Sequence, residues 1–476
     1  MMVRPKSPDL AGDPFFPRLK AFVIGATGME FYADKDDDLA RIVNLRLKAL
    51  DISGCARYLD ILGDPANGRK ELDELVAELT IGETYFFRHG EQFDALRDVV
   101  LPDVIRRNQD SRRIRIWSAG CSIGAEPYTI SIILGREFRS RLAGWSVDIV
   151  GTDINKRFLA LARRARFKEW AMRAMPDDLR EACFLRHDKE WELKPQFRDP
   201  VSFQYHNLVE NPFPSLIDNL CAFDVILCRN VTIYFDRPTV RRLVGQFRET
   251  LTEGGWLLAG HSENDLEIFR NFRLVTVPGA AVYQKSREPD LDRGYPFPEP
   301  EPPAAAGEPL SISLPADPPP AMPVAPPVEA EPSSEPDAAP STPYAEEIRR
   351  IRRLADLGQW WDAIGRCEAL LDTGANDPVV HLYYALVLEQ MGKQAAAEQA
   401  LRRAVFLDRG FVLAHYHLGL FLLARGDLEG SSKSFKTVRR LLEGEPDGGV
   451  IDDEDGISVR QLRDMAGMHL EVIGQS

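Results

Sequence analysis

Arg113-Ile-Arg-Ile-Trp-Ser-Ala-Gly-Cys-Ser-Ile-Gly-Ala-Glu-Pro-Tyr128 starts as a strand, crosses a loop with glycines at 120 and 124, and turns helical near Pro127. A proline there suits the first helical turn. The same alternation continues downstream. EPYTISIILGREF (126–138) and NKRFLALARRA (155–165) have helical periodicity, and WSVDIVGTDI (145–154) between them reads as a strand. VSFQYHNL (201–208), FDVILCRNV (223–231) and WLLAGHS (256–262) read as further strands, with RPTVRRLVGQFRETL (237–251) as a helix before the last. This order predicts an α/β fold with a doubly wound, mostly parallel, Rossmann-like sheet. Ligands of such sheets bind at the carboxyl ends of the strands.

Upstream, residues 15–110 read as helical, because LARIVNLRLKAL (39–50) and RKELDELVAEL (69–79) space apolar residues at i, i+3 and i+4. Downstream the composition changes. Between Gly294 and Tyr344 there are eight acidic residues and no Lys or Arg, in a stretch rich in Pro and Ala. Such a segment buries too little apolar surface to offset its ordering entropy, so an extended, disordered spacer is expected. Beyond it Gly358, Gly392 and Gly426 recur with a 34-residue period, and Ala363, Ala397 and Ser431 follow in step. A glycine in a tight helix–helix turn and a small residue where helices touch suit a tetratricopeptide-like array. The stretch 458–473 is amphipathic and is expected to cap the open end. The expected division is therefore a helical domain at 10–105, an α/β domain at 106–285, a linker at 286–343 and all-α repeats at 344–476.

The net charge of −14 argues against sequence-independent nucleic-acid binding. No run of about 18 apolar residues occurs, and MMVRPKSPDL leads into no signal-peptide stretch, so a cytoplasmic protein is expected. The six cysteines include no CxxC pair and no metal-type spacing with histidines, which predicts reduced, buried thiols and no metal.

Polar residues gather at the predicted strand ends. The glycine loop at 120–124 is neither GxxxxGK[ST] nor GxGxxG, so neither a phosphate cradle nor a dinucleotide fingerprint is present. Asp153 in Gly151-Thr-Asp153 offers a carboxylate to two ribose hydroxyls, or else caps the following helix. His206 and His261 sit near strand ends without an evident nucleophile or carboxylate partner, and structural roles are expected for both.

Thr84-Tyr-Phe-Phe-Arg88, WSAGCSIGAEPY (117–128), GTDIN (151–155), Tyr205-His-Asn-Leu208, Leu227-Cys-Arg-Asn-Val-Thr-Ile-Tyr-Phe235 and Gly254-Gly-Trp256 occur in that order. Together they resemble the CheR-type chemotaxis receptor glutamate O-methyltransferases, over residues 15–285. The resemblance implies S-adenosylmethionine as cofactor, with contacts from Thr84, Arg88, Glu126, Asp153, Asn207, Leu208, Asn230 and Val231. Glu126 would meet the cationic amino group, Asp153 the ribose and Asn207 the adenine edge, while Asn230 and Val231 would lie near the sulfonium. Arg88 and Tyr234 are the candidates for orienting the acceptor carboxylate. The implied partner is the cytoplasmic signalling domain of methyl-accepting receptors, beside an unknown partner for the repeats. The alternative is a repeat scaffold carrying a vestigial or differently targeted methyltransferase.

Two departures stand out: Ala125 takes the place of a first acid in the glycine loop, and Thr232 that of an apolar residue. The family inserts a small antiparallel subdomain at 166–205, and some members use a glycine-rich loop there to hold a peptide tethered to the receptor. This stretch contains no glycine, so a tether-independent enzyme is expected. Arg41, Arg46, Lys48 and Arg57 suggest a basic face on the first domain for an acidic acceptor.

Overall fold

The computed structural model describes residues 10–286 and 344–475, apart from Ala66, Ala375, Gly448 and 453–456. The expected spacer, all but Ser286, lies outside the described residues. Among them, no helix is long and apolar enough to cross a membrane.

Four helices open the chain: α1 (Phe16–Thr27), α2 (Asp36–Ala49), α3 (Cys55–Leu62) and α4 (Gly68–Leu79). Their apolar stripes close on a core that includes Leu19, Val23, Val43, Tyr58 and Leu75. Then α5 (Gly90–Ala95) runs through a π-helical turn at Leu96–Val100 into α6 (Leu101–Arg107) and packs under the sheet.

The α/β block follows as β1 (Arg113–Ala119), α7 (Ala125–Glu137), β2 (Ser146–Asp153), α8 (Lys156–Arg164), β3 (Arg166–Lys168), α9 (Asp177–Cys183), β4 (Phe184–His187), β5 (Glu190–Leu193), α10 (Pro195–Arg198), β6 (Val201–Tyr205), β7 (Phe223–Cys228), α11 (Arg237–Thr250), β8 (Leu251–Ala259), β9 (Arg273–Val277) and β10 (Ala280–Gln284). The main sheet has seven strands in the order β6-β2-β1-β7-β8-β10-β9. The first five run parallel, and β10 pairs antiparallel with both β8 and β9. Trp117 on β1 is fully buried against Phe213, Phe223 and Phe247. An aromatic buried this way contributes about 2–3 kcal/mol.

Three details differ from the sequence expectation. The strand in FDVILCRNV stops at Cys228, which frees Arg229–Val231 as loop. The helix after the glycine loop begins at Ala125, two residues before Pro127, because Gly124 at φ 87° turns the chain into it. The hairpin β9–β10 was not among the predicted elements; its strands are five residues each, joined at Gly279 with φ 75°.

The inserted segment forms the antiparallel sheet β3-β5-β4. In place of a glycine, Asp188 takes the left-handed conformation (φ 50°) between β4 and β5.

The C-terminal helices are α12 (Ala345–Asp356), α13 (Trp360–Asp372), α14 (Pro378–Gln390), α15 (Gln394–Leu407), α16 (Val412–Ala424), α17 (Leu428–Leu441) and α18 (Val459–Gln475). Gly358, Gly392 and Gly426 turn between paired helices at φ 72°, 73° and 79°. Ala363 and Ala397 are fully buried where the pairs touch. In the third pair, buried Ser431 donates to Gly419 O at 2.8 Å. The last helix packs Leu462 and Ala466 into the repeat core.

This array is docked on the α/β block. Leu216, Ile217 and Cys221, from the β6–β7 connection, share one core with it. Leu216 N donates to Asp356 Oδ1 (2.7 Å), and Arg113 Nη1 to Gln390 O (2.9 Å). These contacts lie at the amino ends of β1 and β7, while α18 also reaches Lys156 at the start of α8 through Asp464 (3.4 Å) and Asp73 of α4 through Arg460 (3.4 Å).

Candidate active site

At the opposite, carboxyl end of the sheet, β1, β2 and β7 release their chains around one cavity. Thr84, Arg88, Glu126, Asp153, Asn207, Leu208, Asn230, Val231 and Tyr234 all line it.

The loop after β1 is shaped by left-handed residues, Gly120 (φ 78°), Ser122 (φ 51°) and Gly124 (φ 87°). The amides of Gly120 and Cys121 both donate to Thr152 O, at 2.8 Å each. Gly120 lies so close to the β7 loop that a Cβ would meet Val231 Cγ2 at 2.3 Å. Asp153 fastens the two strand ends: Oδ2 accepts from Ser122 N and Oδ1 from Asn155 N, both at 2.8 Å. It is not the helix cap. That role falls to Asn155, whose Oδ1 accepts from Arg157 N (2.9 Å) and Phe158 N (3.2 Å). Burial pushes the Asp153 carboxyl up to about 6, against the pull of its backbone donors. Beside it the buried Ser122 hydroxyl has no hydrogen-bond partner among the described residues.

Glu126, in the first turn of α7, accepts from Ser118 Oγ (2.8 Å) and from Arg229 Nη1 (2.8 Å). Arg229 also donates to Gln92 Oε1 (2.7 Å) and to Arg88 O. The residues flanking Arg88, Phe87 (φ 56°) and His89 (φ 59°), both adopt the left-handed conformation. For side chains of this size it costs on the order of 1–2 kcal/mol each, a strain typical of functional loops. The Arg88 guanidinium donates Nη1 to Glu83 O at 2.6 Å.

Asn230 (φ 58°) and Val231 sit on a loop gripped by a buried carboxylate. Glu263 Oε2 accepts from Asn230 N and Gly260 N, both at 2.7 Å. Its Oε1 accepts from Val231 N (2.9 Å), Thr232 N (2.8 Å), Thr232 Oγ1 (2.8 Å) and Ile233 N (3.3 Å). Thr232 is thus one of the donors to this carboxylate. Tyr234 packs edge-on against Phe31, 5.6 Å between ring centroids, and desolvation raises its hydroxyl pKa.

Asn207 is placed differently from its expected use. Its amide donates to Ala26 O (3.0 Å) and Glu210 Oε2 (3.3 Å) and accepts from Val209 N (3.1 Å), so the side chain builds the turn after β6. His206 is buried and neutral, its pKa pushed down to about 3 by desolvation, and His261 packs on His89 at 4.9 Å. The basic face of the first domain is largely self-neutralised. Arg46 turns inward to Glu71 (2.8 Å), while Arg41 and Arg57 pair with Asp38 and Asp60 at 3.8 and 4.0 Å.

Sequence reasoning passed over Ser122, Arg229 and Glu263. An arginine at the exit of a fully buried strand and a glutamate just after the last parallel strand were the signals available. Their partners are too distant in sequence to be inferred.

Residues 82–278 match the family model for the CheR methyltransferase, SAM binding domain. A probable chemotaxis protein methyltransferase of Rhizobium etli is 36% identical over 222 residues, covering 46% of this chain and 80% of the relative. Chemotaxis protein methyltransferase 2 of Vibrio cholerae is 32% identical over 281 residues, 59% of this chain and 96% of the relative. The chain belongs to the chemotaxis protein methyltransferases. This methyltransferase also matches the probable biofilm formation methyltransferase WspC of Pseudomonas aeruginosa, at 28% identity over 405 residues. That match covers 83% of this chain and 91% of the relative, a span that reaches the repeats. The cavity of the methyltransferase fits S-adenosylmethionine in its chemistry. It offers carboxylates for an ammonium and a diol, a guanidinium for a carboxylate, and an unpartnered hydroxyl.

Proposed function

We propose that this methyltransferase moves the methyl group of S-adenosylmethionine to glutamate side-chain carboxylates of chemotaxis-type receptors, giving glutamate methyl esters and S-adenosylhomocysteine for adaptation of a chemosensory pathway. The observation that carries the acceptor side is Arg88, held at the cofactor cavity between two strained residues and next to Tyr234. A planar guanidinium is built to grip a carboxylate.

Bound S-adenosylmethionine supplies an electrophilic sulfonium methyl, and an ionised glutamate is already a nucleophile, so no general base is required. The chain's task is binding, alignment and exclusion of water. Glu126 takes the amino group, with Arg229 holding its carboxylate in place. Asp153 and Ser122 take the ribose hydroxyls, and Leu208 with the main chain of Asn207 bounds the adenine. Asn230 and Val231, fixed by Glu263, define where the methyl points. Arg88 and Tyr234 would orient the acceptor oxygen toward the methyl group that the bound cofactor would supply. Thr84 completes the wall.

Incubation with methyl-labelled cofactor and a receptor cytoplasmic fragment, scored by base-labile methanol, tests the acceptor. Arg88→Ala removes a charge-assisted contact worth about 2–3 kcal/mol, which predicts a 30- to 150-fold loss in kcat. Full turnover with unchanged cofactor affinity overturns the role. The reading extends to the division into 10–105, 106–285, 286–343 and 344–476, to a cytoplasmic location, and to a protein partner for the repeats. It also includes recruitment without a receptor tether, supported by the glycine-free β4–β5 turn. A vestigial enzyme serving as scaffold requires failure to bind S-adenosylhomocysteine in calorimetry.

A further inference from the structure

The turn at Glu169–Met172 sits between β3 and α9. It buries Ala171 and Met172 in the inserted subdomain, yet leaves the Trp170 side chain 67% exposed between its neighbours. A tryptophan carries 150–250 Å² of surface that gains from being covered, about as much as any side chain. This one is also held in place. The Arg173 guanidinium lies 4.1 Å from its ring centroid and donates Nη1 to Trp170 O at 2.9 Å. The other side of the same guanidinium faces the Tyr85 ring at 3.6 Å, and its position is fixed by an ion pair to Glu83 at 3.3 Å.

Tyr85 lines the cofactor cavity three residues before Arg88. Phe86 N donates to Ala171 O at 3.0 Å, which ties the Arg88 loop to the Trp170 turn. The ladder Tyr85–Arg173–Trp170 therefore starts at the cavity and leads outward. Ile81, which also lines the cavity, is 59% exposed, and Ile233, beside Val231 and Tyr234, is 45% exposed. Exposed apolar groups rimming a cavity mark an interaction surface, and Trp, Tyr and Arg are the residues that dominate such contacts.

We infer that the Tyr85–Arg173–Trp170 ladder is the docking rim for the acceptor, and that its occupant is the receptor segment that presents the reacting glutamate. Trp170 covers an apolar residue of that segment, and Arg173, paired with Glu83, holds the Trp170 ring in place for it. The rim is continuous with the cavity, so a segment seated on it has its neighbouring side chain within reach of Arg88. The inference rests on receptor glutamate as the acceptor.

The test uses the full chain, methyl-labelled cofactor and the purified cytoplasmic fragment of a methyl-accepting receptor from the same genome. Trp170→Ala and Arg173→Gln are compared with wild type and with Phe406→Ala, an equally exposed aromatic in the repeats (67%). The expected result is a tenfold or greater fall in kcat/KM for both rim variants, expressed in KM. Meanwhile kcat and S-adenosylhomocysteine affinity stay within twofold, and Phe406→Ala is unaffected. Retained homocysteine-product binding also reports that each variant is folded. If one rim variant loses it, the other decides. Rim variants matching wild type in KM, or losing kcat alone, overturn the rim while leaving the glutamate reading intact. A wild-type chain that transfers no base-labile methyl to the fragment overturns both.

Discussion

Glu263→Gln is the most demanding perturbation of the site, because it keeps shape and removes only charge and one acceptor. The wild-type carboxylate is 7% exposed and accepts from two amides through Oε2, and from three amides and a hydroxyl through Oε1. Glutamine must turn an NH₂ toward one of these groups, and the Oε2 side, with fewer donors, is the cheaper choice. The Asn230 and Gly260 amides then face a donor. Each lost charge-assisted bond costs about 1.5–3 kcal/mol, which sums to roughly 3–6 kcal/mol before the loop relaxes. At about 2–4 °C per kcal/mol for a domain of this size, the melting temperature should fall on the order of 6–12 °C or more. Relaxation lets Asn230 leave its left-handed conformation, so S-adenosylhomocysteine affinity should fall at least tenfold. Calorimetric titration and thermal melts of the same preparation read both quantities. A variant within 2 °C and twofold of wild type would show that the carboxylate does not hold the loop.

Gly120→Ala places a Cβ 2.3 Å from Val231 Cγ2 at φ 78°, so product affinity should drop by about tenfold or more. Adding Val231→Ala should recover part of it. The Asp153 carboxyl, raised to about 6 by burial, must be ionised to accept from ribose hydroxyls, so affinity should be level above pH 7 and weaken as pH falls through 6. The stability contribution of Asp153 runs the other way. The folded chain holds this proton more tightly than the unfolded one, so its contribution is fullest below about pH 4 and is lost as pH rises through 6. Asp153→Asn should flatten the binding profile, and a profile unchanged by it counts against the assignment. Arg229→Leu leaves the part-buried Glu126 without its 2.8 Å partner and should cost about 1.5–3 kcal/mol in chemical denaturation. Adding Glu126→Gln should restore stability but not cofactor binding.

Much of this fold is legible in the amino-acid order because parallel strands buried on both faces appear as apolar runs. FDVILC is buried throughout, and the glycines and Asp153 that follow such runs mark the carboxyl edge. The hairpin Arg273–Gln284 was not legible, since two five-residue strands joined at one glycine have little periodicity to detect. The site's support was illegible for a different reason. Arg229 meets Glu126 from 103 residues away, and only the assembled sheet brings them together. Asn207 shows the converse: its amide chemistry suits an adenine edge, but Val209 N, the Glu210 carboxylate and Ala26 O, the last from 181 residues away, engage it in the structure. Leu216 and Ile217 looked like ordinary loop residues, and nothing near them in sequence announced a second core.

The seating of the helical array against the α/β block has a consequence for encounter kinetics. A protein held by the repeats is not searching for the catalytic mouth through solution. It occupies a restricted volume around it, with the distance set by how the array is seated. Its acceptor segment then meets the mouth at an effective concentration in the millimolar range, provided it can span the distance from the array to the mouth. Turnover on a captured acceptor should therefore be insensitive to dilution, and selectivity among acceptors would depend on reach as well as on contact.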